Sequence, residues 1–293
     1  MFNTIKEDNF ALAYREILSR LLLNPEFICS PRSEKIKEIL NVHIEIDNPY
    51  LNLFDNKARS IPREYLANEL LLYFTATKDA KYFSKIANMW SKIKNDDNTI
   101  NSAYGNLIFN ESTASYSEDG ITYNKISQWE WAKRSLIADK DTRQAIIHYN
   151  NHSHQISGIK DFPCTLSNQF FIRNDKLYLT TIMRSNDIIF GTTFDIVFFM
   201  LLMQIMKLEL SNFYPDLELG SYTHFAGSFH IYENNFNLGY EMLNNEFSPS
   251  SLPKIKENPI KNKNLLDLLN TGKTLEVTDD FLNFIIKNHN WIK

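Results

Sequence analysis

The stretch FDIVFFMLLMQIM, residues 194–206, constrains the fold of this chain more than any other segment. It is almost wholly apolar, with Asp195 near its start, and it is well short of the roughly 20 residues that span a bilayer. A helix that is hydrophobic on all sides and cannot cross a membrane is buried inside a protein. We therefore predict a core helix over residues 193–210.

The remaining composition suits a large globular protein around such a helix. Of the 293 residues, 43% are hydrophobic, and no internal repeat or long linker interrupts them, so we expect a single domain over residues 1–293. The net charge of −4 argues against a nucleic-acid partner. Two distant cysteines and an N-terminus without a signal-peptide layout predict a cytoplasmic protein with no membrane partner.

The hydrophobic pattern indicates helices and strands in comparable measure. Apolar residues at helical spacing predict helices over residues 7–23, after Pro62 through EYLANELLLYF, and over 128–137. Alternating or β-rich patterns predict strands in VHIEI (42–46), RQAIIHY (143–149), NQFFI (168–172), KLYLTTIM (176–183) and YTHFAGSFHIY (222–232), with a hairpin turn at 173–175. The fold class is therefore α+β, with a mainly antiparallel or mixed sheet and one long buried helix.

Cys164 follows Pro163 in KDFPCTLSNQFF and precedes an apolar, strand-like run. Its thiol is either a small buried group or a nucleophile. A reactive thiol needs a lowered pKa, which nearby cations usually provide. Pairing of two strands could bring Arg184 close to Cys164. Arg184 lies inside the apolar run LYLTTIMRSNDIIF, where a charge needs a partner or a ligand.

Two carboxylates occupy unusual positions in apolar helices. Asp195 begins the core helix, where it either interacts with the helix dipole or points as an acceptor into a pocket. Glu69 lies within NELLLYF on an apolar face. A buried carboxylate there would have a raised pKa and could act as an acid or a base.

The histidines of the chain give a weaker signal. His148, His152 and His154 are close in sequence but have no carboxylate or cysteine nearby, so we predict no metal site. His230 and Tyr232 are two residues apart and so share one face of a strand, where they either pack across strands or bind a ligand.

Taken in order, these segments resemble the thymidylate synthase superfamily over roughly residues 12–245. The combination of PC, RSND followed by FG and FD, and FHIY at these spacings is highly specific. The matching segments are SPRSEKIKEILNVHIEIDNP (30–49), NELLLYF (68–74), MW (89–90), SAYGN (102–106), DTRQAII (141–147), PCTLSNQFF (163–171), RSNDIIFGTTFDI (184–196), FHIY (229–232) and, more weakly, DDFLNFIIKNHNWIK (279–293).

The resemblance implies a thymidylate-synthase-like fold whose sheet lies at the interface of a homodimer. It also implies that the Cys164 thiolate adds to C6 of a pyrimidine nucleotide, so that C5 captures the one-carbon unit of 5,10-methylenetetrahydrofolate. The roles it implies are as follows: Glu69 for water and protons, Tyr104 for shaping the site, Arg184 for the phosphate and for keeping Cys164 ionised, Arg32 and Ser185 for the phosphate, Arg143 for the phosphate of the other subunit, His230 and Tyr232 for the sugar, and Trp90, Asp187, Gly191 and Phe194 for the folate.

Asp195 departs from ordinary thymidylate synthases, which have asparagine at this position. A carboxylate only accepts hydrogen bonds, so it opposes uracil O4 and matches the cytosine N4 amino group. A mismatch of this kind costs on the order of 1–3 kcal/mol. The aspartate marks the deoxycytidylate hydroxymethylases of this superfamily, known chiefly from phages with modified DNA. The resemblance therefore implies dCMP, with thymidylate synthase, dCMP methylase and dUMP or CMP hydroxymethylase as alternatives.

Further departures bear on the product and on the phosphate site. Family synthases end in an apolar tail over the folate, whereas this sequence ends in HNWIK, so we expect water to enter and the product to be 5-hydroxymethyl. Gln144 stands where the family usually has a second arginine, and Met183 replaces a usual glutamine. Ser185 is the family serine and favours deoxyribose. Cys29 has no role assigned by the sequence.

A silent relative that binds nucleotide or RNA as a regulator is the alternative outside the enzyme class. Such a protein would have lost its nucleophile or phosphate site. Cys164, Arg184 and Glu69 are all present, so we predict an enzyme.

Overall fold

The computed structural model describes residues 3–110, 112, 114–273 and 277–290. The strands are β1 (Asn3–Glu7), β2 (Phe27–Cys29), β3 (Ile36–Ile46), β4 (Leu53–Asp55), β5 (Ala114–Tyr116), β6 (Asn124–Ile126), β7 (Ile146–His148), β8 (Thr165–Arg173), β9 (Lys176–Asp187), β10 (Glu218–Tyr232) and β11 (Ser248–Ser250). The α-helices are α1 (Phe10–Leu23), α2 (Arg63–Thr75), α3 (Ala80–Ile86), α4 (Met89–Ile93), α5 (Tyr104–Phe109), α6 (Gln128–Ala138), α7 (Thr192–Leu210), α8 (Phe236–Leu243), α9 (Lys263–Thr271) and α10 (Asp280–Asn288).

The chain forms two compact units, and each takes residues from three separate parts of the sequence. Unit 1 comprises the described residues within Met1–Ile61, Arg173–Lys207 and Asp216–Leu252. Unit 2 comprises those within Pro62–Ile172, Leu208–Pro215 and Pro253–Lys293.

Unit 1 is built on a mixed sheet whose strands run in the order β1-β3-β10-β9, with β2 beside the first part of β3. β3 pairs with β1 in parallel and with β10 antiparallel, while β10 and β9 are parallel. Helix α1 packs against β1 and β3. Its N-terminus is capped because the Asn9 side chain accepts a hydrogen bond from the Leu12 amide at 3.2 Å.

The predicted core helix is α7, and it is buried over most of its length. Ile196 and the apolar residues through Met203 are 0–1% exposed, as expected for a helix without a polar face. The expectations of an α+β fold, a mixed sheet and one long buried helix are thereby confirmed. None of the described helices has the length and apolar character needed to cross a membrane.

Unit 2 is centred on α2, which packs against α3, α5, α9 and α10. The helix begins after Pro62 and ends at Ala76, whose φ of 57° is left-handed and stops the helix. The short strand β7 pairs antiparallel with β8, and β5 and β6 form a separate hairpin. The expected turn after β8 is confirmed, because Asn174 and Asp175 both have positive φ, as a tight turn requires.

Candidate active site

Glu69 lies on α2 in unit 2 and is 9% exposed, as its apolar neighbours predict. The hydroxyl of Tyr73, one helical turn further on, donates a hydrogen bond to Glu69 Oε1 at 3.3 Å. The Tyr73 ring in turn stacks on that of Tyr104, with 5.7 Å between centroids. A buried carboxylate is thus fixed in place by a tyrosine, an arrangement suited to moving protons.

The hydroxyl of Tyr104 extends this chain of contacts to the cysteine segment. It accepts hydrogen bonds from the backbone amide and the hydroxyl of Thr165, at 3.3 and 2.9 Å. Cys164 is half-buried and directly precedes Thr165. The Asn150 side chain donates to the Pro163 carbonyl at 3.2 Å on the other side of the cysteine. The residues on both sides of the Cys164 thiol are therefore held by buried or half-buried polar groups.

Gly105 explains why the pair Tyr104–Gly105 is needed in α5. A Cβ atom at position 105 would lie 1.9 Å from the carbonyl oxygen of Tyr73, so only glycine permits α5 to approach α2. This close approach brings Tyr104 onto Tyr73. Three of the predicted catalytic residues, Glu69, Tyr104 and Cys164, are thus linked within unit 2.

Trp90 and Arg143 lie elsewhere in unit 2. Trp90 is 8% exposed and packs edge-on against Phe83, and its indole N–H is buried without a hydrogen-bond partner among the described residues. Arg143 is exposed beside a groove of about 770 Å³. The groove is also lined by Gln144 and His148.

The histidines near this groove have structural contacts. His154 is buried, and its Nδ1 accepts a hydrogen bond from the Asn151 amide at 3.3 Å. Within the described ranges, no group of three or more His, Cys, Asp or Glu side chains is arranged to hold a metal ion.

Asp195 lies in the first turn of α7 in unit 1. Its carboxyl group is deeply surrounded by protein, and the residue as a whole is half-buried. Burial raises the pKa of Asp195 to about 7, with the nearby Asp187 adding to the effect and Asn186 opposing it. The carboxyl group therefore changes charge near neutral pH.

The side chain of Asn186 fixes the orientation of Asp195. Its amide donates to Asp195 Oδ2 at 2.8 Å, while its carbonyl oxygen accepts from the Thr192 hydroxyl at 2.7 Å. At Gly191 a Cβ atom would lie 3.1 Å from the Asn186 amide nitrogen and 3.3 Å from Asp195 Oδ2. Glycine at this position therefore leaves room for the contact.

Asp187 and Phe194 flank this network. The Asp187 carboxylate accepts hydrogen bonds from the amides of Ile189 and Phe190, at 3.2 and 2.8 Å. Burial nonetheless raises the pKa of Asp187. Phe194 is 6% exposed.

His230 and Tyr232 lie at the end of β10, with their rings edge to face and 5.1 Å between centroids. His230 is 6% exposed, and burial lowers its pKa. Burial raises the pKa of Tyr232, and the Arg32 side chain opposes this shift. Arg32 is exposed and has a left-handed φ of 52° in the turn Pro31–Ser33. The structure thus groups a histidine, a tyrosine and an arginine in unit 1.

Arg184 and Ser185 lie near the end of β9, and Arg184 is exposed. Gly227 of β10 lies opposite Arg184, since its neighbours Ala226 and Ser228 pair with Met183 and Ser185. A Cβ atom at Gly227 would be 3.0 Å from the Arg184 carbonyl oxygen.

Sequence reasoning did not single out Tyr73 or Asn186. Tyr73 could have been found from its spacing of four residues from Glu69, which places both side chains on one helix face. Asn186 lies inside the quoted RSND motif, but its orientation depends on Thr192, six residues further along the chain.

Arg59 is a third residue that the sequence did not reveal. Its guanidinium group lies over the Phe190 ring, 5.6 Å from the centroid, and one of its nitrogens is buried without a hydrogen-bond partner among the described residues. It is also close enough to Asp187 to oppose the rise in that carboxyl pKa. A partly buried cation with an unused donor is a candidate for contact with an anionic ligand.

The fold is that of a thymidylate synthase. The chain is similar to the structure of the thermostable thymidylate synthase A from Bacillus subtilis, with a TM-score of 0.67 and 20% identity, over 87% of this chain and 90% of that one. Residues 37–280 match the family described as thymidylate synthase. The chain belongs to the thymidylate synthase family, and it is a transferase of that family.

Three relatives show how varied the family is at this level of similarity. The deoxyuridylate hydroxymethyltransferase of Bacillus phage SP01 is 31% identical over 76% of this chain, and the match spans 57% of that relative's length. A putative thymidylate synthase of Methanocaldococcus jannaschii is 29% identical over 78% of this chain and 90% of its own. The deoxycytidylate 5-hydroxymethyltransferase of Enterobacteria phage T4 is 26% identical over 75% of this chain and 85% of its own.

Proposed function

We propose that this chain is a deoxycytidylate 5-hydroxymethyltransferase. It would transfer the one-carbon unit of 5,10-methylenetetrahydrofolate to C5 of dCMP, and water would complete the product 5-hydroxymethyl-dCMP. The observation that carries the proposal is the carboxyl group of Asp195, which Asn186 anchors through Oδ2 at the start of α7. The family itself binds a nucleoside monophosphate and uses methylenetetrahydrofolate as co-substrate.

The hydrogen-bonding capacity of Asp195 supports cytosine over uracil. Asn186 already donates to Oδ2, so Oδ1 is the oxygen left for a base. In the ionised form, Asp195 can only accept, which suits the cytosine N4 amino group. In the protonated form it has one donor as well, and only this form can donate to uracil O4. Cytosine therefore fits both forms of Asp195, whereas uracil fits one.

Cys164 would act as the nucleophile that forms a bond to C6 of the pyrimidine, which makes C5 nucleophilic. The contacts of Thr165 and Pro163 on either side of it support a thiol held in a fixed position. Glu69, oriented by Tyr73, would transfer protons through water, and Tyr104 would shape the site. When the product forms, the Cys164–C6 bond breaks and C5 loses its proton.

The remaining predicted residues would bind the two substrates. The burial of His230 and its edge-to-face contact with Tyr232 support a role for both in binding the sugar hydroxyl. The proposed phosphate ligands are Arg32, Arg184 and Ser185, with Arg143 reaching from the partner subunit of a homodimer. The proposed folate contacts are Trp90, Asp187, Gly191 and Phe194.

Arg59 and Phe190 add to the folate side of the proposal. A folate has flat aromatic rings and an anionic tail. The exposed ring of Phe190 and the unused donor of Arg59 provide an apolar surface and a positive charge close to Asp187. These residues of unit 1 therefore fit a co-substrate of that chemistry.

The hydroxymethyl product is supported by two of the three relatives, whose names specify hydroxymethyltransferases. The C-terminal argument for an open site falls on residues 291–293, which lie outside the described residues. Both of those relatives are phage proteins. We accordingly propose that this enzyme modifies nucleotides for phage DNA in the cytoplasm of a host cell.

Hydroxymethylation of dUMP is the second candidate. The SP01 relative is named for this activity, and the pKa of Asp195 near 7 gives a substantial protonated fraction at neutral pH. This form has the donor that uracil O4 requires.

The test is incubation of the purified protein with methylenetetrahydrofolate and dCMP, dUMP or CMP in parallel, with products read by mass. We expect hydroxymethyl-dCMP and free tetrahydrofolate, and no product from Cys164→Ser. Faster turnover of dUMP than of dCMP would refute the assignment of the base. A methylated product with dihydrofolate would refute the hydration step.

A further inference from the structure

In the sheet of unit 1, His230 of β10 lies between two acidic residues. Glu38 is on one neighbouring strand, β3, and Asp187 is on the other, β9. The register pairs His230 of β10 with Glu38 of β3 on one side and with Asp187 of β9 on the other. Side chains of directly paired residues project from the same face of a sheet. The imidazole of His230 is therefore flanked by two carboxylates, one from each neighbouring strand.

The Glu38 carboxylate is held by donors from two further positions. The hydroxyl of Ser228 donates to Oε1, and the thiol of Cys29 donates to Oε2 at 3.6 Å. Ser228 lies on β10 two residues before His230, and Cys29 lies on β2. Each carboxylate oxygen of Glu38 thus accepts a hydrogen bond. One of the two donors is Cys29, to which the sequence assigned no role.

His230 has a ring nitrogen that this arrangement can orient. Its Nδ1 is buried and has no hydrogen-bond partner among the described residues. Burial lowers the pKa of His230, whereas Asp187, Glu38 and a hydrogen bond with the Ser228 backbone raise it, and Arg32 lowers it. Negative charge on both sides favours a ring N–H directed into the protein.

We propose that Glu38 is a positioning residue of the sugar-binding site, where its carboxylate, anchored by Ser228 and Cys29, fixes the His230 ring for the hydroxyl of the nucleotide sugar. The inference rests on the proposed function, in which His230 and Tyr232 bind the sugar. Glu38 acts through His230 and does not touch the reacting atoms.

The first experiment compares Glu38→Gln with the wild type in two measurements. Calorimetry gives the affinity for dCMP, and NMR of the imidazole carbons gives the His230 pKa, with the resonance assigned by its loss in His230→Gln. We expect about tenfold weaker binding, because the His230 ring loses one of the two charges that flank it. The His230 pKa should fall, because a neighbouring negative charge is removed.

Glu45→Gln is the matched control. Glu45 lies on the same strand, β3, but pairs with Thr223 and forms an ion pair with Lys6 away from the site. It should leave both the affinity and the His230 pKa unchanged. A dCMP affinity within twofold of the wild type in folded Glu38→Gln, or an unchanged His230 pKa, would overturn the inference.

Cys29 provides a second pair of variants should Glu38→Gln fail to fold. Cys29→Ser keeps a donor for Glu38, and Cys29→Ala removes it. Weaker dCMP binding in the alanine variant with recovery in the serine variant supports the inference, and equal wild-type binding by both overturns it. If the wild type binds neither dCMP, dUMP nor CMP, the proposed function fails, while the His230 titration still tests the coupling to Glu38.

Discussion

Asp195→Asn should reverse the base preference of the enzyme. The new amide would offer a donor to uracil O4 and lose an acceptor for the cytosine amino group. Each mismatch costs on the order of 1–3 kcal/mol, so the ratio of kcat/KM for dCMP to that for dUMP should fall by about 30-fold at the least. Both nucleotides compete in one mixture, and product masses give the ratio directly. A variant that still prefers dCMP would refute the reasoning.

In the wild type, the preference for dCMP over dUMP should depend on pH, because the charge of Asp195 does. With a pKa of about 7, Asp195 is protonated to about 0.9 at pH 6 and about 0.1 at pH 8. If only the protonated form accepts uracil, the relative use of dUMP should fall about tenfold between these pH values. Titrations that affect both substrates equally cancel in the ratio. The ratio should be flat with pH in Asp195→Asn, and a flat ratio in the wild type would contradict the argument.

Three further predictions test the framework of the site. Gly105→Ala should lower the free energy of unfolding by about 3 kcal/mol in denaturant titrations, because its Cβ would clash with the Tyr73 carbonyl; a stable variant would contradict this packing. Tyr73→Phe should reduce kcat per active site about threefold to tenfold with little change in KM, because Glu69 loses a donor; an unchanged kcat would contradict this role. Burial lowers the pKa of His224 to about 3, so the stability due to its neutral form is lost as pH falls below 6.5. Between pH 7 and pH 4.5 the free energy of unfolding should therefore fall by about 3 kcal/mol less in the double variant Tyr222→Phe/His224→Leu than in the wild type, as measured by urea unfolding.

Local patterns predicted four of the described helices, α1, α2, α6 and α7, because apolar residues dominate their buried faces. The six shorter described helices were not predicted. Helix α7 was expected over residues 193–210 and spans Thr192–Leu210. The strands were less fully predicted, since β7 covers only Ile146–His148 of the seven residues expected. The alternation of apolar and polar residues identifies a strand, but it does not show which strands pair with it in the sheet. The parallel pairing of β9 with β10 is therefore a property of the folded sheet alone.

Some residues of the candidate site could be predicted from the sequence, and others could not. Glu69 stood out as a charge in an apolar helix, and Asp195 as a departure from the family pattern. The groups that orient them, Tyr73 and Asn186, are ordinary residues whose importance comes from hydrogen bonds formed on folding. Glu38 likewise looks like one polar position of an alternating strand until the register places it beside His230.

The discontinuity of unit 1 has a consequence for how the chain folds. Its sheet requires β3, ending at Ile46, to pair with β10, which begins only at Glu218. Pairing between such distant segments pays a large loop-closure entropy before it gains contacts, so refolding should be slow, on the order of milliseconds to seconds. During synthesis, β3 must wait for most of the chain to emerge from the ribosome. Until then the β3 edge that later pairs with β10 stays unprotected, and this interval is when aggregation competes with folding.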